Sequence, residues 1–116
     1  MRVLYVDDDE LVRAAVTTAL TPHCRVEVAP SGVEAADLWS RTAFDAVAVD
    51  LHLKGASGLD LLQVLRHESP STWRVLVTGA RVYDLPGGIA DRVVRKPFTV
   101  RELLTSLVPA RADSGA

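Results

Sequence analysis

The chain alternates five short apolar runs with stretches of helical spacing, and this alternation limits its fold more than any other feature. The runs are Arg2 to Val6, Arg25 to Ala29, Ala46 to Val49, Arg74 to Val77 and Arg92 to Val94. The four clearest are nearly continuous in apolar residues, which is typical of strands buried on both faces of a parallel sheet. Strands that alternate with helices predict right-handed crossovers and an α/β fold.

Helix signals fill the intervals between these runs. The pattern of the first helix predicts one shared face, formed by Leu11, Ala14, Ala15, Thr18 and Ala19, with Pro22 beyond its end. Capping boxes predict that the second helix begins at Ser31–Glu34 and the last at Thr99–Glu102. A third helix is predicted to begin near Ser57, and Trp39 of the second is predicted to lie on a buried face. Leucines fill the third and last helices, at positions 61, 62, 65, 103, 104 and 107.

The predicted fold is therefore an open, doubly wound sheet of five parallel strands. Pro86 and its two following glycines interrupt the helical pattern between Thr78 and Lys96, so the fourth helix is predicted to be short or irregular. With 116 residues the chain fits one domain, which we expect to span residues 1–108, with a flexible tail or linker stub at 109–116.

Composition excludes several classes of function. A formal net charge of −2, with scattered basic residues, argues against nucleic-acid binding by this chain. Cys24 has no cysteine partner, and the three histidines lack the spacing of a zinc site. The start of the chain resembles a strand and has no cleavable leader, which predicts a cytoplasmic protein that is not in a membrane.

Carboxylates follow two of the predicted strands. Asp7 and Asp8 come after the first strand, and Asp50 ends the third. In open α/β sheets the ligand site lies outside the carboxyl ends of the strands, so we expect these three side chains to meet there. Adjacent carboxylates repel unless a hard cation lies among them, and Mg²⁺ prefers such oxygen ligands. The simpler alternative is that the acidic run from Asp7 to Glu10 caps the first helix.

A hydroxyl and an ammonium are predicted at the same edge. Thr78 ends the fourth strand and Lys96 follows the fifth, and Lys96 is one of only two lysines in an arginine-rich chain. Phosphoryl transfer to a carboxylate needs an aspartate nucleophile, a metal ion and groups that neutralise the phosphoryl oxygens. Together these residue types favour that chemistry over independent structural roles.

These motifs, in this order, resemble the response-regulator receiver domain of two-component systems over essentially the whole chain. They are VDD at 6–8, DLHLKGASGL at 50–59, TG at 78–79 and KPF at 96–98. The resemblance implies the flavodoxin-like (βα)5 receiver fold and a signalling domain that is not an enzyme. It also implies a histidine kinase or phosphotransfer protein as donor and a downstream protein as a possible target.

The resemblance also implies roles for single residues. Asp50 would accept the phosphoryl group, and Asp7, Asp8, Asp50 and the backbone carbonyl of His52 would bind Mg²⁺. Thr78 and Lys96 would each contact a phosphoryl oxygen, and the Lys96–Pro97 bond is often cis in this family. Gly58 would allow the loop after Asp50 to turn into the third helix.

Two positions, Val93 and Lys54, depart from the family pattern. Val93 occupies the place of an aromatic residue that reports phosphorylation, which puts the usual switch in doubt, and Tyr83 is a candidate substitute although a surface or packing role is the simpler interpretation. Lys54 replaces a common proline and could lean toward the acidic site. His52 and Ala80 hold positions that influence the lifetime of the phosphoryl group in this family.

Three other functions compete with this one. A pseudo-receiver that acts without phosphorylation stays open because of Val93 and the short fourth region. A metal-dependent phosphohydrolase would need a second acid beside Asp50 and a covering cap, and a flavin or nucleotide domain would need a glycine-rich loop after the first strand. The sequence also leaves open whether the chain is a stand-alone regulator, a relay intermediate or part of a larger protein.

Overall fold

The computed structural model describes residues 1–79, 85 and 87–109. Its strands are β1 (Arg2–Val6), β2 (Arg25–Ala29), β3 (Ala46–Asp50), β4 (His52–Leu53), β5 (Ala56–Ser57), β6 (Trp73–Thr78) and β7 (Arg92–Arg95). Its helices are α1 (Glu10–Leu20), α2 (Gly32–Arg41), α3 (Gly58–Glu68) and α4 (Val100–Ser106). The five predicted strands are all present, within one residue of the predicted bounds at either end.

Five strands form one parallel sheet in the order β2-β1-β3-β6-β7. The chain starts inside the sheet, adds β2 on one side and then crosses to β3 on the other, so the winding direction reverses between β1 and β3. This order confirms the predicted doubly wound fold. Val6 pairs with Val49 and Asp50 with Val77, so the carboxyl ends of the three central strands lie level with one another. Ligand sites in open α/β sheets lie at this reversal.

Each face of the sheet supports its own hydrophobic core. Alternate β1 residues divide between the two: Leu4 and Val6 pack with the leucines of α3, whereas Val3 and Tyr5 pack with α1 and α4. All of β3 is buried, because helices cover both of its faces. Burial on both sides explains why the strands are nearly uniform in apolar residues.

Side-chain caps set the helix starts, as predicted. Ser31 accepts a hydrogen bond from the N–H of Glu34, and Ser57 accepts one from the N–H of Leu59. Thr99 and Glu102 form both bonds of a capping box. Leu61, Leu62, Leu65, Leu103 and Leu107 are buried and Leu104 is partly buried, as the leucine pattern predicted, and Trp39 packs partly buried against the core.

The helix predicted after β1 is present, but the face whose spacing predicted it is mostly exposed. Leu11 is 80% exposed, and Ala14, Ala15 and Thr18 are exposed as well. The buried side of this helix is formed by Val16 and Leu20. Alanine and threonine fit either side of a helix, so the four-residue spacing of larger side chains gave the better signal.

Arg74 anchors the segment that leads into β7. Its side chain is almost fully buried and donates to the carbonyls of Pro70, Thr72, Gly88 and Ile89 at 3.1–3.5 Å. A buried guanidinium needs such acceptors because desolvating a charge is costly. Part of the region predicted to hold the irregular fourth helix falls on residues 80–84 and 86, and most of the predicted tail falls on 110–116. Both lie outside the described residues.

Within the described part of the chain, none of the helices is long and apolar enough to cross a membrane.

Candidate functional site

The carboxyl edge of the sheet collects the residues that the sequence singled out. Asp7 and Asp8 follow β1, Asp50 is the last residue of β3, and Thr78 is the last of β6. Lys96 follows β7, and its backbone N–H donates to the carbonyl of Thr78 at 2.8 Å. Because these strands are parallel and in register, residues far apart in sequence meet at one edge.

Three carboxylates form a cluster at this edge. Oxygen atoms of Asp7, Asp8 and Asp50 all lie within 4.8 Å of one another. Asp7 is fully buried and Asp50 is 7% exposed, whereas Asp8 is the most accessible of the three. An all-oxygen, anionic donor set with one accessible side fits a hard divalent cation such as Mg²⁺, which keeps several of its waters.

Lys96 bridges two of these carboxylates. Its Nζ lies 3.0 Å from Oδ2 of Asp7 and 3.4 Å from Oδ2 of Asp50. Burial lowers the pKa of Lys96, but the hydrogen bond to Asp7 and the negative charges of Asp50 and Asp7 outweigh that effect, so the pKa is raised. Lys96 is therefore a fixed cation at neutral pH. One ammonium among three carboxylates still leaves the cluster anionic.

The surroundings of Asp50 raise the pKa of its carboxyl group. Burial raises its pKa and the negative charge of Asp7 raises it further, while Lys96 and the backbone N–H of His52 oppose them only in part. Anything that adds positive charge beside Asp50 therefore stabilises its ionised, nucleophilic form.

Asp7 is held more firmly than the sequence suggested. Its Oδ1 accepts the N–H of Asp9 at 2.9 Å, and its backbone carbonyl accepts a guanidinium N–H of Arg13 at 2.8 Å. Its Oδ2 accepts the hydroxyl of Tyr5 at 3.4 Å. Sequence reasoning missed both Arg13 and Tyr5. The polar hydroxyl inside the otherwise apolar β1 was the available signal for Tyr5.

The acidic run after β1 divides between two roles. Asp9 caps α1, because its side chain accepts the N–H groups of Leu11 and Val12. Glu10 is the first residue of that helix. The capping interpretation therefore holds for these two residues, whereas Asp7 and Asp8 belong to the carboxylate cluster.

The loop after Asp50 is tightly packed against the end of β3. A short antiparallel hairpin, β4–β5, which the sequence analysis did not predict, carries Lys54 and Gly55 at its exposed turn. Gly58 then begins α3, and its N–H donates to the carbonyl of Leu51 at 2.7 Å. A Cβ on Gly58 would overlap the carbonyl oxygen of Asp50 and lie 2.8 Å from its carbonyl carbon. Only glycine fits there.

The remaining predicted positions are found as follows. Thr78 is fully buried, and the Lys96–Pro97 bond is cis, as the resemblance implied. The side chain of His52 is exposed, and Val93 on the edge strand is 44% exposed. The predictions for Ala80 and Tyr83 fall on residues that the structure leaves undescribed.

A winding reversal with an acid cluster, a hydroxyl and a lysine defines a phosphoryl-acceptor class of α/β domain. Comparison with known families identifies it, since the model of the response regulator receiver domain matches residues 3–108. The chain belongs to that family and is a receiver domain of the two-component type.

Relatives and solved structures agree with this assignment. The chain is 34% identical over 113 residues to the response regulator MprA of Mycobacterium sp. (strain KMS), with 92% of this chain and 49% of that protein covered. Among solved structures it resembles chemotaxis protein CheY4 of Vibrio cholerae, with 26% identity, a TM-score of 0.82 and 91% and 94% of the two chains covered. It also resembles response regulator TrrA of Thermotoga maritima, solved in complex with Mg²⁺-BeF, with 27% identity, a TM-score of 0.82 and 92% and 98% covered.

The chain spans about half the length of the curated relatives it matches. What those longer proteins do as a whole therefore belongs to them.

Proposed function

We propose that Asp50 is the phospho-acceptor of this receiver and that its phosphorylation requires Mg²⁺. The observation that carries the proposal is the cluster itself: three carboxylates within 4.8 Å, two of them bridged by Lys96. In this arrangement Asp50 is the only cluster member that lies at the end of the central strand, between Asp7 on one side and Thr78 on the other.

In the proposed transfer, a carboxylate oxygen of Asp50 attacks the phosphorus of a donor phosphohistidine. A P–O bond forms as the P–N bond breaks, and the imidazole that leaves takes up a proton. Lys96 neutralises one phosphoryl oxygen, and the hydroxyl of Thr78 donates to another. Asp7, Asp8, Asp50 and the carbonyl of His52 would hold Mg²⁺, which would supply positive charge to offset that of the carboxylates and of the phosphoryl oxygens.

The wider role follows from this chemistry. Residues 1–108 form the receiver, a histidine kinase or phosphotransfer protein is the donor, and a downstream protein reads the phosphorylated state. We propose that the domain acts in the cytoplasm as a switch, without turnover of a separate substrate and without nucleic-acid contacts of its own. The net charge of −2 supports the last point.

Intact-mass measurement after incubation with acetyl phosphate tests the proposal. Wild type should gain one phosphoryl group only when Mg²⁺ is present, and Asp50→Asn should gain none. Asp60→Asn is the matched control, because Asp60 is an exposed aspartate in the first turn of α3. Folded wild type that neither gains mass nor binds Mg²⁺ would contradict the proposal and favour a pseudo-receiver.

A further inference from the structure

Tyr5 places a hydroxyl in the apolar core directly beneath the carboxylate cluster. It is fully buried on the α1 and α4 side of β1, and it precedes Asp7 by two residues on the same strand face. Its strand neighbours Val3, Leu4 and Val6 are aliphatic. Phenylalanine would fill nearly the same volume without a polar atom to desolvate, so the hydroxyl needs a partner to offset the cost of its burial.

That partner is the carboxylate of Asp7. The hydroxyl of Tyr5 donates to Oδ2 at 3.4 Å, and the same oxygen accepts Nζ of Lys96 at 3.0 Å. A phenol keeps its proton at neutral pH and a carboxylate only accepts, so the hydroxyl of Tyr5 is the donor in this hydrogen bond. The hydrogen bonds therefore form a chain from Tyr5 through Asp7 to Lys96.

The remaining contacts of Asp7 show why the hydroxyl matters. The N–H of Asp9 fixes Oδ1, and Arg13 fixes the backbone carbonyl. At Oδ2, Lys96 is the other donor, and Lys96 also pairs with Asp50 across the cluster. Phosphorylation of Asp50 would give Lys96 a further anionic partner that competes with Asp7, whereas Tyr5 has a fixed place in the core. Tyr5 is thus the permanent anchor for Oδ2.

We propose that Tyr5 is a positioning residue, whose hydroxyl orients the carboxylate of Asp7 for Mg²⁺ binding. The inference rests on the proposed metal site. Hydrogen bonds that orient a metal-binding carboxylate are commonly worth tenfold or more in metal affinity. Because the Tyr5 bond is long, we place its effect at the low end, so that loss of the hydroxyl weakens Mg²⁺ binding about tenfold.

The test compares two variants that lack the hydroxyl but differ in packing, Tyr5→Phe and Tyr5→Leu. Isothermal titration with Mg²⁺ alone gives the dissociation constant, and urea denaturation without Mg²⁺ gives the stability. Trp73→Phe is the control: it removes a ring N–H bond to the carbonyl of Ser106 on the same face, at the opposite end of the sheet. Both Tyr5 variants should bind Mg²⁺ about tenfold more weakly, while Trp73→Phe binds like wild type.

Phosphorylation by acetyl phosphate supplies the second readout. Tyr5→Phe should need about tenfold more Mg²⁺ for half-maximal rate, yet reach the wild-type rate at saturation, because Asp50 itself is unchanged. A Mg²⁺ affinity within twofold of wild type in folded Tyr5→Phe would overturn the inference. A loss of Mg²⁺ affinity that parallels the loss of stability across Tyr5→Phe, Tyr5→Leu and Trp73→Phe would also overturn it. Wild type that fails to bind Mg²⁺ would instead overturn the proposed function on which the inference rests.

Discussion

Gly58 and Gly32 offer a closely matched pair of alanine substitutions with opposite expected outcomes. Each glycine is the first residue of a helix, each follows a serine cap, and neither has a left-handed backbone. Judged only by their helix positions and backbone angles, both substitutions should stabilise the protein by about 0.4–1 kcal/mol, because alanine restricts the unfolded chain.

The structure predicts opposite effects for the two substitutions. At Gly32 a Cβ would lie 3.2 Å from Cδ1 of Leu61, the end of a side chain that can move. At Gly58 it would overlap the carbonyl oxygen of Asp50 and lie 3.0 Å from Cα of Leu51, both of them backbone atoms. Overpacking of this kind costs about 1–3 kcal/mol, which exceeds the gain from restricting the unfolded chain.

We therefore expect Gly58→Ala to lose about 2 kcal/mol, and Gly32→Ala to match wild type or gain up to about 1 kcal/mol. For a domain of this size the first change lowers Tm by about 8 °C. Because the displaced atoms belong to Asp50, the proposed acceptor, Gly58→Ala should also slow phosphorylation of Asp50 by acetyl phosphate about tenfold or more. Thermal unfolding and intact mass measure the two effects. Equal Tm values and equal phosphorylation rates for the two variants would refute the reasoning.

Three further changes test other parts of the structure. Burial and Asp7 raise the pKa of Asp50, so the ionised side chain destabilises the folded protein at neutral pH. Asp50→Asn should therefore be more stable than wild type in metal-free urea denaturation at pH 7. The difference in stability should disappear as the pH falls toward the unfolded pKa of about 4. A constant difference at every pH would contradict this. Arg74→Met should lower the free energy of unfolding by about 3 kcal/mol, since buried carbonyls lose their donor; a Tm within a few degrees of wild type would argue against the anchoring role. Thr99→Ala should cost about 1 kcal/mol by removing the cap of α4, with phosphorylation of Asp50 unchanged; slower phosphorylation would mean that the cap also shapes the site.

Strands and site residues were predictable because both depend on local sequence. Apolar runs located the five strands of the sheet, and parallel topology then required Asp7, Asp50, Thr78 and Lys96 to share an edge. The shared location of these residues at strand ends supported the functional prediction more strongly than any single motif did.

Features that depend on tertiary packing were not predictable. The helical spacing grouped Leu11 with other residues on one face of α1. The helix packs on the sheet through a different face, so Leu11 is exposed. Tyr5 resembled any other strand residue, because the hydrogen bond from its hydroxyl to Asp7 depends on the three-dimensional position of that carboxylate. The β4–β5 hairpin has two residues in each strand, too few for periodicity to indicate.

The ion pair between Lys96 and Asp7 joins residues 89 positions apart, and this separation makes the carboxylate cluster depend on the docking of β7. Contacts between residues so far apart in sequence form late in folding, because the intervening chain must first close into a loop. A nascent chain that has not yet added β7 carries the three carboxylates without the ammonium that bridges two of them. During folding, the carboxylate cluster therefore gains its bridging ammonium only when β7 pairs with β6.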